Sequence, residues 1–403
     1  MSMTVDAGVP TMEDLLAGAR TLAPVVEAEA QASDQAGSLS DEVGERMRDS
    51  GLTALWVPRD LGGSELPLDA GHTVVEELSR INGSFGWVGA AQVVAQAAAG
   101  AFLNDAAVGE IFRDGIPGIA GQGLPRGKAV ACDGGYLVGT TWSYGSGIKQ
   151  ARWVLATSFV HNADGTARFL PSGAPDARIC YVPREDVVLE DNWDVMGLCA
   201  TGSVDYTGRD LFVSEDFGHP LDISTPVRGG SIYLIGIMSL ATVVHTAWAL
   251  GNARRMVDEL AALVREGHGR FAQDAVSERF HERFAEADGN LRMARGFAYD
   301  TLRDAQRTLD QGDRLSTRQA TMLRTMVARV TWTAADVVRW AYFAAGGTGL
   351  RSGVVQRCFR DMHAATQHGI VAPAVSVTCG RELLGLADGK VWLGRALVEP
   401  SLV

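Results

Sequence analysis

Three short stretches carry the side chains best placed to do chemistry. The first is WSYGSG, Trp142–Gly147, which sets an indole, a phenol and a hydroxyl among glycines. Glycine lets a backbone approach a ligand closely. Trp142 and Tyr144 offer flat rings and Ser146 an edge hydrogen bond, so the turn suits a planar ring system. The same residues also describe a plain hairpin turn over a buried Trp. The second stretch, GLCATGS (Gly197–Ser203), places Thr201 and Ser203 beside glycine amides. Such a turn holds a phosphate or a ring oxygen, or merely reverses the chain.

The third stretch is RDMHAATQH, Arg360–His368. His363 and His368 are five positions apart, about 140° in direction on an ideal helix, so they form no simple metal pair. No acid in the segment completes a two-histidine, one-carboxylate set, and no metal site is expected. One proton-handling histidine is the economical reading. Arg270 and Phe271, and the glycines Gly346, Gly347 and Gly349, are either loop residues or places of close approach to a cofactor or partner helix.

These stretches need elements to position them, and the hydrophobic pattern supplies three blocks. Residues 1–120 read as helical. Ser40 before Asp41 and Glu42 is an N-cap with acids in the first turn, and Val43, Met47 and Gly51 give a helix face and its stop. Leu55–Pro67 is a loop, Val74, Val75, Leu78 and Ile81 mark a helix face, and Ser84–Leu103 is a Gly- and Ala-rich run suited to close packing. Residues 121–222 switch to short β-type runs with turn signals, which predicts an antiparallel barrel or sandwich. No Gly-x-Gly-x-x-Gly links a strand to a helix, so no nicotinamide-binding Rossmann unit is expected. Residues 223–403 return to long helices and predict a four-helix bundle. Phe280, Phe284, Ala287, Leu291, Ala294, Ala298, Leu302, Ala305 and Leu309 form one stripe, and Ser316 caps a next helix carrying Met322, Met326, Val330 and Ala334. The fold class expected is α+β.

Bulk chemistry narrows the function classes. Over 403 residues, 36 basic and 48 acidic side chains leave a formal charge of −12, which opposes binding to nucleic acid or an anionic membrane. Five scattered cysteines without a CxxC fit reduced thiols in the cytoplasm. The N-terminus lacks the pattern of a signal peptide. Ile232–Leu250 is long and apolar, but its small residues and His245 read better as a buried helix than as a membrane span.

With the blocks in this order, the chain resembles the acyl-CoA dehydrogenase superfamily over nearly its whole length. More narrowly it resembles the oxygenase components of two-component (group D) flavin-dependent monooxygenases. VPRDLGGSELP is similar to the family's proline–diglycine loop, and VVEELSRINGSFGW (Val74–Trp87) to the helix pair behind it. GGYLVGTTWSYGSGIKQARWV and WDVMGLCATGSVDY are similar to its two signature strand segments, and QRCFRDMHAATQH to the C-terminal motif of the monooxygenase branch.

The resemblance implies catalytic roles for Ser146, near the reactive flavin ring, and for His368. It implies flavin contacts from Trp142, Tyr144, Gly147, Thr201 and Ser203. Arg270 and Phe271 are implied to reach the flavin pyrophosphate of a neighbouring subunit. It further implies reduced FMN or FAD delivered by a separate NAD(P)H-dependent reductase, a small organic substrate, aromatic or polyketide, and a homotetramer. Dehydrogenases of this family need a carboxylate base. Where that base is expected this chain has HAATQHG, and the nearest preceding acid is Asp361. That favours monooxygenation. An acyl-CoA dehydrogenase-like oxidoreductase with a base from elsewhere, Glu282 or Glu286, stays open, as do roles for His363 and His72.

Overall fold

The structure, a computed structural model, describes residues 8–171, 173–221, 223, 225–271 and 277–399. Helix α1 (Met12–Ala36) starts on a capping box of Thr11 and Asp14 and ends at left-handed Gly37. Helix α2 (Asp41–Asp49) is capped by Ser40, whose hydroxyl accepts from the Val43 amide, and stops just before Gly51 at φ 71°. Helices α3 (Leu68–Ile81) and α4 (Gly83–Phe102) meet at Asn82, whose side chain accepts from the Ser84 and Phe85 amides. Val74, Val75, Leu78 and Ile81 are all buried, as their spacing predicts. Helix α4 is buried almost all round between α3 and a later helix. It is the described helix long and apolar enough to cross a membrane. A short helix α5 (Asp105–Ile111) follows.

The middle of the chain is a curled sheet of nine strands. They are β1 (Ile119–Gln122), β2 (Lys128–Cys132), β3 (Gly135–Trp142), β4 (Trp153–Ala156), β5 (Ser158–His161), β6 (Ala177–Pro183), β7 (Val188–Leu189), β8 (Tyr206–Ser214) and β9 (Gly218–Pro220). The order is β1-β4-β6-β5-β2-β3-β8-β7, with β9 also on β6. The expected antiparallel barrel or sandwich is met by this curled sheet, with parallel pairing at two places. β1 runs parallel to β4, and β2 parallel to β5. One residue, Thr157, separates β4 from β5, so both lie along β6 and each takes a parallel neighbour. Strand structure begins at Ile119, just before the expected boundary at 121. Alternation along β3 turns Tyr136, Val138 and Trp142 inward and Leu137 outward.

The last block holds α6 (Ile237–Arg265), α7 (Glu278–Asp310), α8 (Thr317–Ala345), α9 (Val354–Ala365) and α10 (Pro373–Leu383). A hairpin of β10 (Val391–Leu393) and β11 (Ala396–Val398) follows. The four-helix bundle is therefore an incomplete description. A fifth helix and a hairpin belong to the block, and α6 packs on α3 and α4 as well as on α8 and α9. One core runs from Leu15 on α1 through α3, α4 and α6 to Val330 on α8. The apolar run from Ile232 is broken at Gly236, φ 77°, before α6 starts. Helix α7 buries the expected stripe from Ala287 to Leu309, and Ser316 caps α8 in a box with Gln319.

Candidate active site

Two turns of the sheet are zipped together beside α4. The Gly145 amide donates to Val204 O at 3.1 Å and the Gly147 amide to Thr201 O at 2.8 Å. Gly147 sits at φ 74°, and a Cβ there would stand 2.8 Å from Val88 Cγ1 of α4. Glycine is thus what lets the helix close on the turn. Trp87, one residue earlier on α4, then donates its indole N–H to the Ser146 hydroxyl at 3.1 Å.

Behind Ser146 runs a chain of hydroxyls. Ser146 Oγ lies 2.7 Å from Ser203 Oγ, which lies 2.6 Å from Thr201 Oγ1, which donates to Leu198 O at 2.8 Å. Each hydroxyl has one proton. The carbonyl can only accept, so Thr201 spends its proton there, Ser203 donates to Thr201, and Ser146 donates to Ser203. Ser146 also accepts from Trp87, so what it has left to offer a ligand is a lone pair. Thr201 and Ser203 are buried, and of the three only Ser146 is partly open.

The Trp87 ring meets three further rings edge-on: Trp248 at 5.2 Å, His245 at 5.4 Å and His368 at 5.8 Å between centroids. His245 and Trp248 come from α6, and His368 from the turn after α9. His368 packs against Trp87 and His245 while the residue keeps surface open to solvent. Burial lowers its pKa to about 4, and the positive charge of Arg395 acts the same way. It is therefore neutral near pH 7. Its Nδ1 accepts from the Ile370 amide at 3.3 Å, which leaves the proton on Nε2. Burial, then His368, holds His245 well below the ordinary histidine range, and its Nε2 has no partner.

Helix α9 locks this arrangement from behind. Asp361, fully buried, accepts the Leu198 amide at 2.6 Å and so fixes the turn carrying Thr201 and Ser203. Arg360 bonds Asp34 at 2.8 Å and the Met196 carbonyl at 3.0 Å. Burial raises Asp361 to about 7 against the opposing pull of the Leu198 bond.

The partly open recess around Trp87 thus brings together an acceptor hydroxyl, a donor imidazole and aromatic rings. Sequence profiles of the acyl-CoA dehydrogenase N-terminal and C-terminal domains match residues 13–105 and 243–373, together more than half the chain. The chain is 28% identical over 389 residues to an indole-3-acetate monooxygenase of Pseudomonas putida, covering 94% of each. It is 26% identical over 393 residues to the HsaA oxygenase subunit of a flavin-dependent monooxygenase of Mycobacterium tuberculosis, covering 94% of this chain and 97% of that one. The crystal structure of HsaA monooxygenase from M. tuberculosis superposes with a TM-score of 0.85 at 24% identity, covering 93% of this chain and 98% of that chain. The chain belongs to the acyl-CoA dehydrogenase superfamily. Within it, the chain is an enzyme of the flavin-dependent monooxygenase type, an oxygenase component.

Against that family, the expected residues divide. Ser146 and His368 both meet Trp87, one by a hydrogen bond and the other ring to ring. Tyr144 is exposed and meets Trp193 edge-on at 5.4 Å, near the turn. Trp142 is corrected: its ring is stacked on Tyr206 inside the barrel and its N–H is spent on Thr157 O, leaving no face for a flavin. The Thr201 and Ser203 hydroxyls stand in the chain behind Ser146 and support it. Phe271 is buried against Phe280, an anchor rather than a ligand surface. Arg270 does meet the glycine loop. The two line a cavity of about 610 Å³ with His268, Thr348 and Arg351. That cavity adjoins the N-terminus of α9 and His368 follows its C-terminus, about 18 Å further on.

His363 is turned away, tilted against the Phe359 ring and donating to its carbonyl at 2.8 Å. His72 lies elsewhere, beside Tyr299 and Glu76. Glu282 and Glu286 are exposed on α7, and Glu286 pairs with Arg283, so neither serves as a base here. Sequence reasoning missed Trp87, His245, Trp248 and Arg395. Trp87 closes a quoted motif and was the legible one. The other three sit in stretches whose apolar pattern masks their convergence.

Proposed function

We propose that this oxygenase component takes reduced FMN or FAD from a separate NAD(P)H-dependent reductase and oxygenates a small aromatic or polyketide substrate between Ser146 and His368. The observation that carries the proposal is the lone pair left on Ser146 by the hydroxyl chain. A reduced flavin presents an N–H at the ring edge where an oxidised flavin presents a bare nitrogen, so an acceptor hydroxyl favours the reduced form. When bound, the reduced flavin supplies the two electrons with which dioxygen delivers one atom to substrate and one to water. Ser146 holds the ring edge. His368, neutral with its proton on Nε2, donates a hydrogen bond or a proton into the recess. Trp87 and Trp248 exclude water on that side. Anaerobic titration with reduced and oxidised FMN and FAD tests this: tighter binding of the reduced form is expected, and equal or reversed affinity rejects it.

Arg270 and Arg351 supply cations beside the glycine loop, suited to flavin phosphate. Their separation from His368 along α9 supports service to a flavin held by a neighbouring copy, as in a homotetramer. Five free thiols support a reducing, cytoplasmic setting.

A further inference from the structure

The C-terminal hairpin is pinned to α8 at several points. Thr317 Oγ1 donates to Lys390 O at 2.9 Å, and the Trp392 indole N–H donates to Thr321 Oγ1 at 2.9 Å. The buried Arg324 guanidinium lies 4.2 Å over the Trp392 ring and donates to Gly394 O at 3.0 Å. Gly394 turns at φ 56°, so the direction of the next residue, Arg395, is fixed by buried contacts.

Arg395 lies across Gly369, the neighbour of His368. A Cβ on Gly369 would stand 2.7 Å from Arg395 Nη1 and 3.0 Å from both Cζ and Nη2. Three guanidinium atoms crowd that one point, so the group rests on the open face of the glycine. Arg395 is exposed and, among the described residues, makes no ion pair or hydrogen bond. In a chain with twelve more acids than bases, an arginine with no ion pair or hydrogen bond among the described residues is conspicuous. It is also the charged group that acts on His368.

We propose that Arg395 is a specificity-determining residue that grips a carboxylate on the substrate, so that the substrate class is aromatic acids. The inference rests on the monooxygenase reading of the recess. A planar guanidinium fork matches a carboxylate bidentately. Its place beside His368 sets the acid at the rim and the ring toward Trp87 and Ser146.

The test uses the full chain loaded anaerobically with reduced flavin and calorimetric titration with matched acids and amides: phenylacetate and phenylacetamide, indole-3-acetate and indole-3-acetamide. At least one acid is expected to bind about tenfold or more tighter than its amide. Arg395→Ala and Gly369→Ala, the second displacing the guanidinium without removing it, should both erase that preference. Arg395→Lys should restore part of it. The proposal is overturned if no acid exceeds its amide, or if Arg395→Ala keeps the preference. It is equally overturned if Arg395→Ala weakens reduced-flavin binding as much as acid binding, which assigns the arginine to the flavin phosphate. Reduced flavin titrated alone reads the monooxygenase proposal separately.

Discussion

The indole N–H of Trp87 donates to the Ser146 hydroxyl at 3.1 Å, and that bond joins helix α4 to the barrel turn at the recess. It also settles which half of the hydroxyl is left for a ligand.

Removing that acceptor should therefore act on one redox form. Ser146→Ala is expected to weaken reduced-flavin binding about tenfold, near the upper value of a neutral hydrogen bond, and to change oxidised-flavin binding little. Thr201→Val, which cuts the chain at its far end, should narrow the preference for reduced flavin without touching the ligand. Anaerobic titration of both variants decides. Equal losses for the two flavin forms would contradict the proton order.

His368→Ala should cut product by roughly 10²- to 10⁴-fold, the usual worth of a placed proton donor, with hydrogen peroxide released instead. Because the residue opens on solvent, the thermal midpoint should move little. With the imidazole at about pKa 4, activity should show no histidine inflection near pH 6.5 and fall only as the pH approaches 4. A pH–rate profile inflecting near 6.5, and absent from the variant, would show the imidazole charging in the ordinary range.

Acid stability rests on other histidines. Burial lowers His72 to about 3 and His219 to about 4, while both return to about 6.5 when unfolded. Unfolding below pH 6.5 therefore takes up protons, and stability should fall as pH drops from about 6.5 toward 4. Neither His72 nitrogen has a hydrogen-bond partner, Glu76 Oε2 standing 3.8 Å from Nδ1. His72→Leu removes an unsatisfied buried group and should raise the thermal midpoint at pH 5. Differential scanning fluorimetry across pH reads both effects, and a midpoint flat from pH 7 to 4.5 would refute them.

Asp361 has the opposite sign. Its folded pKa of about 7 exceeds the unfolded 3.8, so its contribution is fully present below about 3.8 and is lost as pH rises through about 7. Asp361→Asn keeps an acceptor for the Leu198 amide and should gain on the parent above pH 7. Asp361→Ala bares that amide and should cost about 1–3 kcal/mol. Chemical denaturation at pH 6 and pH 8 separates the two.

If Arg270 serves a neighbour's flavin, two inactive variants should complement. Subunits carrying Arg270→Ala and His368→Ala, unfolded and reassembled together, should recover up to about a quarter of parental activity in mixed oligomers. Sedimentation at micromolar protein should show a tetramer. No recovery in verified mixed tetramers would place Arg270 on its own chain's flavin.

The helices were legible because their periods and caps are local: Ser40, Ser316 and the α7 stripe each stand where the spacing puts them. Strand pairing was not, because parallel neighbours such as β1 and β4 are chosen by the whole sheet. Within the site, Ser146 and His368 stand in polar motifs that a reader can see. Trp142 misled because an aromatic in a glycine-rich turn looks like a platform, whereas strand alternation had already turned it inward. Arg395 was invisible because nothing in its own stretch shows that a hairpin carries it back to Gly369.

One feature of the sheet has a practical use. Cys132, at the β2 end of the β2–β3 hairpin, is the exposed thiol among the five cysteines. Burial raises Cys180 and Cys358 to about 12, and raises Cys199 and Cys379 as well. Strand β3 runs eight residues from that hairpin to the turn at Ser146, about 25 Å. A maleimide dye at Cys132 would thus sit at energy-transfer range from a bound yellow flavin. Its emission would report, in real time, each arrival of oxidised cofactor and each departure.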